Sequence, residues 1–346
     1  MARGGLRYVP IAKDRLRDPR VDPILVAHGY GVRSRPSVST DSLLTSGVVN
    51  AALLRGASAP VEMSNDPFHL DVAPAVAAWL EHRHTPPHGV FYNGERIRQC
   101  SDVELVSPGA LAPLRLQPAR YFDTVFSNDS TGISLYSPGE REPSFDGRQL
   151  CFPEETIWSC GDHRRGRAGD ALGASVVAVT TDRRLVLVRQ STHSKLSPGL
   201  LAPSGSGGGD WSDCAAPGGL AGLATQIALR ELEEECGIAR TDIVAVKVLG
   251  YGRFLQRGGK PEFFALARLG CAAHEIKVAR SERLLVEGHE LVGLPPDAPS
   301  AGAALQSAAA ELRRDRPAEM SSSLWWNLEL LLEAEAAVLD PMFDGL

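Results

Sequence analysis

Between Leu223 and Cys236 the chain carries a pattern that fits an amphipathic helix and little else. Leu229, Leu232 and Cys236 recur at helical spacing, and Gly237 follows at the position where helices end in a left-handed turn. On the other side stand Glu231, Glu234 and Glu235. At i, i+3 and i+4 they share one face, within an arc of about 100°. Three carboxylates so close repel one another. Such a helix needs apolar surface beneath it and a cation or basic groups above it. A hard divalent ion meets the second need through oxygen ligands, and Mg²⁺ takes substrate phosphates as further ligands. The plainer alternative is a solvated acidic face.

The order of residues separates the two. Arg230-Glu231-Leu232-Glu233-Glu234-Glu235-Cys236-Gly237-Ile238 resembles the second half of the Nudix box, Arg-Glu-apolar-x-Glu-Glu-x-Gly-apolar, at all seven specified positions. The resemblance implies an α/β chain, a Nudix α/β/α sandwich with a mixed sheet. It implies Mg²⁺ (or Mn²⁺) held by Glu231, Glu234 and Glu235. Glu231 would share the metal or act as base, Arg230 would orient the glutamates, and Gly237 would end the helix. Glu233, at an unspecified position, is expected in solvent. The implied chemistry is attack of a metal-activated water on one phosphorus of a diphosphate joined to another group.

The front half of the box departs from this pattern. Counting back from Arg230 puts Gly222 where a Glu belongs and Ala216 where a Gly belongs. Gly207, Gly208, Gly209, Asp210 and Asp213 are candidate stand-ins, since glycine lets backbone approach a metal or phosphate closely. Family members often add a carboxylate from outside the box; Glu262, Glu287 and Glu290 are open candidates.

Elsewhere the pattern is coarser. Ser175–Thr180 and Leu185–Val188 read as a β-hairpin, and Pro203 to Trp211 as a glycine-serine loop. Ile243–Leu249 and Glu262–Leu269 read as strands, Ala301–Leu312 and Leu324–Val338 as helices. Toward the N-terminus, Leu43–Leu54 and Val72–Glu81 read as helices, the second with Pro74 in its first turn. Val90–Ile97 reads as a strand and turn around Asn93-Gly94, and Tyr121–Phe126 as a strand. The polar stretch from His163 to Asp170 divides a smaller α+β N-terminal domain, 1–165, from a hydrolase domain, 166–346.

Other clusters have bland readings. His82, His84 and His88 fall in a proline-rich loop. Asp123, Asn128 and Asp129 read as turn residues, or as the lip of a substrate site. Trp325-Trp326 reads as core. Arg189, Gln190, His193 and Lys195 read as a solvated strand end or as phosphate ligands. A fainter resemblance lies in Phe91 to Arg98, Tyr121-Phe122-Asp123 and Ser127-Asn128. These are similar to the domain preceding the Nudix domain in animal-type UDP-sugar pyrophosphatases, which implies cleavage of a UDP-hexose to UMP and a sugar 1-phosphate.

Charge and composition narrow the partners. Lys+Arg number 36 against 42 Asp+Glu, a net charge of −6, which argues against broad contact with nucleic-acid backbones and leaves a small-molecule nucleotide substrate open. There is no run of about 18 apolar residues to span a membrane. The start of the chain lacks a secretory apolar stretch, so a cytoplasmic setting is expected. The six cysteines show no metal spacing and read as free thiols. A homodimer is an assembly the family resemblance allows. A non-catalytic sensor of a nucleotide derivative, fed by the altered front half of the box, is the alternative to a hydrolase. An RNA-end hydrolase suits the acidic balance less.

Overall fold

The structure is a computed structural model that describes residues 6–11, 23–36, 38, 40–85, 92–151, 167–194, 196–278 and 285–343. It is a mixed α/β chain. Among the described residues the main sheet has nine strands. Its spine runs Leu201–Ala202, Arg184–Gln190, Gly173–Val179, Lys260–Leu269, Ile243–Phe254, Ser42–Ser46, Tyr30–Ser34. Gly173–Val179 and Lys260–Leu269 pair in parallel, with Gly173 opposite Glu262, while their other neighbours are antiparallel.

Strand alternation sorts the core. Val176, Ala178, Val186 and Val188 pack with Leu223, Ile227 and Leu232 of the helix Gly219–Cys236, the glutamate helix. Val177, Val179, Leu185 and Leu187 face the other way, into Leu305, Ala309, Leu324 and Leu328 of the helices Ala301–Asp315 and Ser322–Glu333. A strand with helices on both faces must be apolar at every position, and all seven residues of Gly173–Val179 are buried.

Several expectations change. Leu43–Leu54 is not one helix. Ser46 caps the helix Gly47–Leu54 by accepting a hydrogen bond from the Val49 N–H, and the preceding residues form a strand between two others. Tyr121–Phe126 is a helix and not a strand, because Asp123 in its first turn accepts a hydrogen bond from the Arg120 N–H at 2.7 Å. The 324–338 helix breaks after Glu333. Residues 90–91 of the strand and turn expected around Asn93-Gly94 lie outside the described residues; among the described residues the strand Glu95–Gln99 pairs with Leu114–Arg120.

The boundary drawn at 165 falls outside the described residues. N-terminal to it, Tyr30–Ser34 and Ser42–Ser46 extend the main sheet, and Glu95–Gln99 is stitched to the other half. Ile97 N–H donates to Gly209 O at 3.1 Å and Leu172 N–H to Ile97 O at 2.9 Å. Beneath that seam Arg253 donates to Asp102 at 2.6 Å, and Asn128 donates to Asp170 at 2.9 Å. The five described cysteines, Cys100, Cys151, Cys214, Cys236 and Cys271, are free. No described helix is long and apolar enough to cross a membrane.

Candidate active site

The glycine-serine segment is a strand and not a loop. Gly205–Gly208 pairs antiparallel with Gly173–Val179, setting Gly207 opposite Ala174. Its alternate residues lie against the glutamate helix, and the spacing is too tight for a side chain. A Cβ on Gly205 would stand 2.8 Å from the Glu231 carbonyl carbon, and one on Gly209 2.7 Å from Ile227. On Gly207 it would stand 2.3 Å from Glu231 Oε1. Glycine at every second position therefore lets the strand carry the Glu231 carboxylate directly on its backbone.

The helix starts at Gly219 with a left-handed glycine before it, and ends at Gly237, φ 62°. Its buried stripe runs through Leu220, Leu223, Ala224, Ile227, Ala228 and Leu232, and it includes Glu231. Leu229, expected on that stripe, is only half-buried. Burial raises the Glu231 pKa to about 8, against the pull of Arg230 and with the help of Glu234. Glu235 is half-buried and accepts a hydrogen bond from the Ser206 N–H at 3.1 Å. Glu234 is not among the residues that line the cleft; its side chain is 46 % exposed and tied to Arg230 at 2.9 Å. Glu233 is in solvent, as expected.

Arg230 is the hub. It donates to Gly208 O at 2.6 Å and to Asp213 at 3.2 Å, and pairs with Glu231 at 3.0 Å. Asp213 comes from a 3-10 turn, Trp211–Ala215, between the glycine strand and the helix. Ala216 ends that turn, and Gly222 lies in the first helical turn, where a Cβ would meet Pro217 O. Asp213, from the 3-10 turn, holds the arginine.

Strand and helix border a cleft of about 340 Å³, lined by Ser206, Gly207, Gly208, Glu235, Lys260, Glu262, Arg96, Tyr121, Asp129, Arg257, Gln190 and His193 among others. That volume falls in the range of small-molecule sites. Of the three carboxylates left open outside the motif, Glu262 is the one in the cleft. It accepts from Ser175 Oγ at 2.6 Å and pairs with Lys260. Glu290 is bound by Arg189 and Arg316 on the far edge of the sheet, and Glu287 is exposed. Of the candidates for a lip, Asp129 lines the cleft, as does Tyr121. Asp123 is spent as a helix cap and Asn128 as the Asp170 partner.

The remaining candidates settle as structure. Arg189 ties Glu290 and Glu319. Trp325 and Trp326 are buried, and Trp326 donates its indole N–H to Asp41 at 2.9 Å. His82 is exposed and His84 contacts Ser130; His88 and Lys195 lie outside the described residues. Arg96, Arg257 and Lys260 are site residues that the sequence reading did not single out. Lys260 alone had a local signal: Lys260 and Glu262, two apart on a strand, share a face.

Among the described residues no three His, Cys, Asp or Glu side chains converge as a ready cage for a metal. The glutamates are instead balanced by internal cations, Glu231 and Glu234 by Arg230 and Glu262 by Lys260. The donor set is nonetheless one of hard oxygens beside a glycine backbone, the chemistry that suits Mg²⁺ or Mn²⁺.

No protein-family model and no curated protein matches the chain. Among solved structures it is similar to DR0079 from Deinococcus radiodurans, at 13 % identity over 46 % of this chain and 81 % of that one, TM-score 0.31. It is also similar to a bifunctional NMN adenylyltransferase/ADP ribose pyrophosphatase from Francisella tularensis, solved with AMP and a manganese ion. There the identity is 15 % over 47 % of this chain and 41 % of that one, TM-score 0.30. Likeness at this level covers under half of this chain and bears on neither activity nor substrate.

Proposed function

We propose that the protein is a metal-dependent hydrolase of the Nudix type. Its substrate is a nucleoside diphosphate linked to another moiety, and specifically a UDP-sugar, released as UMP and a sugar 1-phosphate. One observation carries the reading. Glu231 and Glu235 of the motif reach the same glycine strand, and Glu262, from a strand far along the chain, lines the cleft together with Glu235.

Glu231, Glu235 and Glu262 are the residues that would hold Mg²⁺ or Mn²⁺. When bound, the ion would supply Lewis acidity toward the diphosphate and acidify a water. The chain's own residues do the rest. Arg230 fixes Glu231 Oε1 at 3.0 Å. Burial raises the proton affinity of Glu231, so near neutral pH the metal-free chain holds a proton at this carboxyl. Arg96, Arg257 and Lys260 line the cleft and are the cations that would contact the phosphates of a diphosphate. The sugar-nucleotide part rests on the N-terminal segments similar to UDP-sugar pyrophosphatases, and Arg96 and Tyr121 from those segments line the cleft.

The test is product chromatography after incubation with Mg²⁺ and UDP-glucose, UDP-galactose, ADP-ribose, NADH, diadenosine polyphosphates and nucleoside triphosphates. UMP from the UDP-sugars is expected. Cleavage of another compound keeps the hydrolase and removes the UDP-sugar assignment. A second reading, a sensor that binds without cleaving, is favoured by the internal balancing of the glutamates. Tight binding of one compound with no cleavage of any would establish it.

A further inference from the structure

Lys260 and Glu262 form an ion pair with Nζ and Oε2 2.5 Å apart and side chains only 7 % and 3 % exposed. The surroundings are shaped around this pair. A Cβ on Gly173 would stand 2.4 Å from Glu262 Oε2, 2.5 Å from Lys260 Nζ and 2.6 Å from Gly207 O. Ammonium, carboxylate and a carbonyl of the glycine strand thus crowd one point that only a glycine leaves open. Burying an ion pair is a poor way to stabilise a fold, since desolvation takes back most of the attraction. Both residues also line the cleft.

The other cations of the cleft are held differently. Arg257 makes two hydrogen bonds to Asp129, at 2.9 and 2.7 Å, and Arg96 pairs with Asp210. Those carboxylates lie outside the set that would hold a metal. Lys260 is the one whose partner belongs to that set. Its compact charge on a flexible four-carbon stem can change partners, which a guanidinium locked by two bonds does not do readily.

We propose that Lys260 is a tethered cation that occupies Glu262 in the metal-free protein. A divalent ion displaces its ammonium from the carboxylate, and the displaced ammonium turns to a phosphate of the substrate in the same cleft. The inference rests on the metal-dependent reading and adds a residue to it.

The experiment measures Mn²⁺ binding to the substrate-free full chain, by the electron spin resonance of free Mn²⁺, for wild type, Lys260→Met, Glu262→Gln and the double variant. Lys260→Met removes a competing charge and should tighten Mn²⁺ about tenfold. The tightening should vanish in the Glu262→Gln background, and Lys260→Arg should leave affinity near wild type. At saturating Mn²⁺, Lys260→Met should raise the substrate KM about tenfold and change kcat less. If Lys260→Met does not fold, Lys260→Gln carries the same test. Equal or weaker Mn²⁺ binding by the Lys260 variant, or equal tightening with and without Glu262, overturns the proposal. A wild-type chain that binds no Mn²⁺ overturns the metal-dependent reading itself, which is a distinct result.

Discussion

Gly207→Ala is the most incisive single change. Its Cβ would sit 2.3 Å from Glu231 Oε1, 2.4 Å from Oε2 and 2.5 Å from Cδ, each about 1 Å short of ordinary van der Waals contact. The obstacle is the end of a side chain rather than backbone, so the carboxylate must swing away and the fold should survive. Overpacking of this kind costs about 1–3 kcal/mol, and a side-chain end should yield at the low end. Position is what is lost. Glu231 leaves its 3.0 Å contact with Arg230, and misplacing a reacting group by about 1 Å costs on the order of 10²-fold in rate. The expected result is a hundredfold-scale fall in kcat/KM for UMP release, with a melting temperature a few degrees lower. Gly205→Ala gives the opposite ranking, because its Cβ meets helix backbone at 2.8 Å and backbone cannot rotate aside. It should destabilise by about 3 kcal/mol in urea. In a Glu231→Ala background the stability cost of Gly207→Ala should disappear. Gly207→Ala with wild-type kcat/KM and melting temperature would refute the seating of Glu231 on this strand.

Three further outcomes follow from the same geometry. Glu235→Gln, beside the cleft, should lower kcat by about 10²–10³-fold, and Glu234→Gln, on the exposed flank, by far less; equal losses in steady-state assays would contradict the arrangement. In metal-free protein, Glu231 keeps a proton up to about pH 8, whereas its ordinary value is 4.5. The native state therefore holds a proton that the unfolded chain has lost, and this contribution to stability is full below 4.5 and fades as pH rises toward 8. Urea midpoints across that window should decline for wild type and flatten for Glu231→Gln. Asp102→Ala removes the carboxylate 2.6 Å from buried Arg253, which keeps Asp170 at 3.7 Å and the Gly259 carbonyl at 2.9 Å, so a loss of about 1–3 kcal/mol in urea unfolding is expected; no measurable loss would show that the seam between the two halves does not depend on the pair.

The local signals carried well where one principle dominated. Apolar spacing, Gly237 and the three glutamates marked the helix, and valine-rich runs marked the strands that helices cover on both faces. They failed where a single polar side chain outweighed the pattern: Ser46 ends a strand and caps a helix, and Asp123 turns the aromatic run Tyr121–Phe126 into a helix. Gly205-Ser206-Gly207-Gly208-Gly209 looks flexible by composition, yet its period-two spacing is that of a strand pressed against a helix.

What the sequence by itself determined is the motif helix, its charge and the strands beneath it, because helical and strand periods are local properties of neighbouring residues. What only the tertiary structure decided is the company that helix keeps. Glu262 and Lys260 arrive from a strand paired in parallel with Gly173–Val179, Asp213 from a 3-10 turn, and Arg96 from a strand more than a hundred residues before the motif. Nothing local encodes those meetings. They are set by which strands pair and by how closely glycine lets backbones approach.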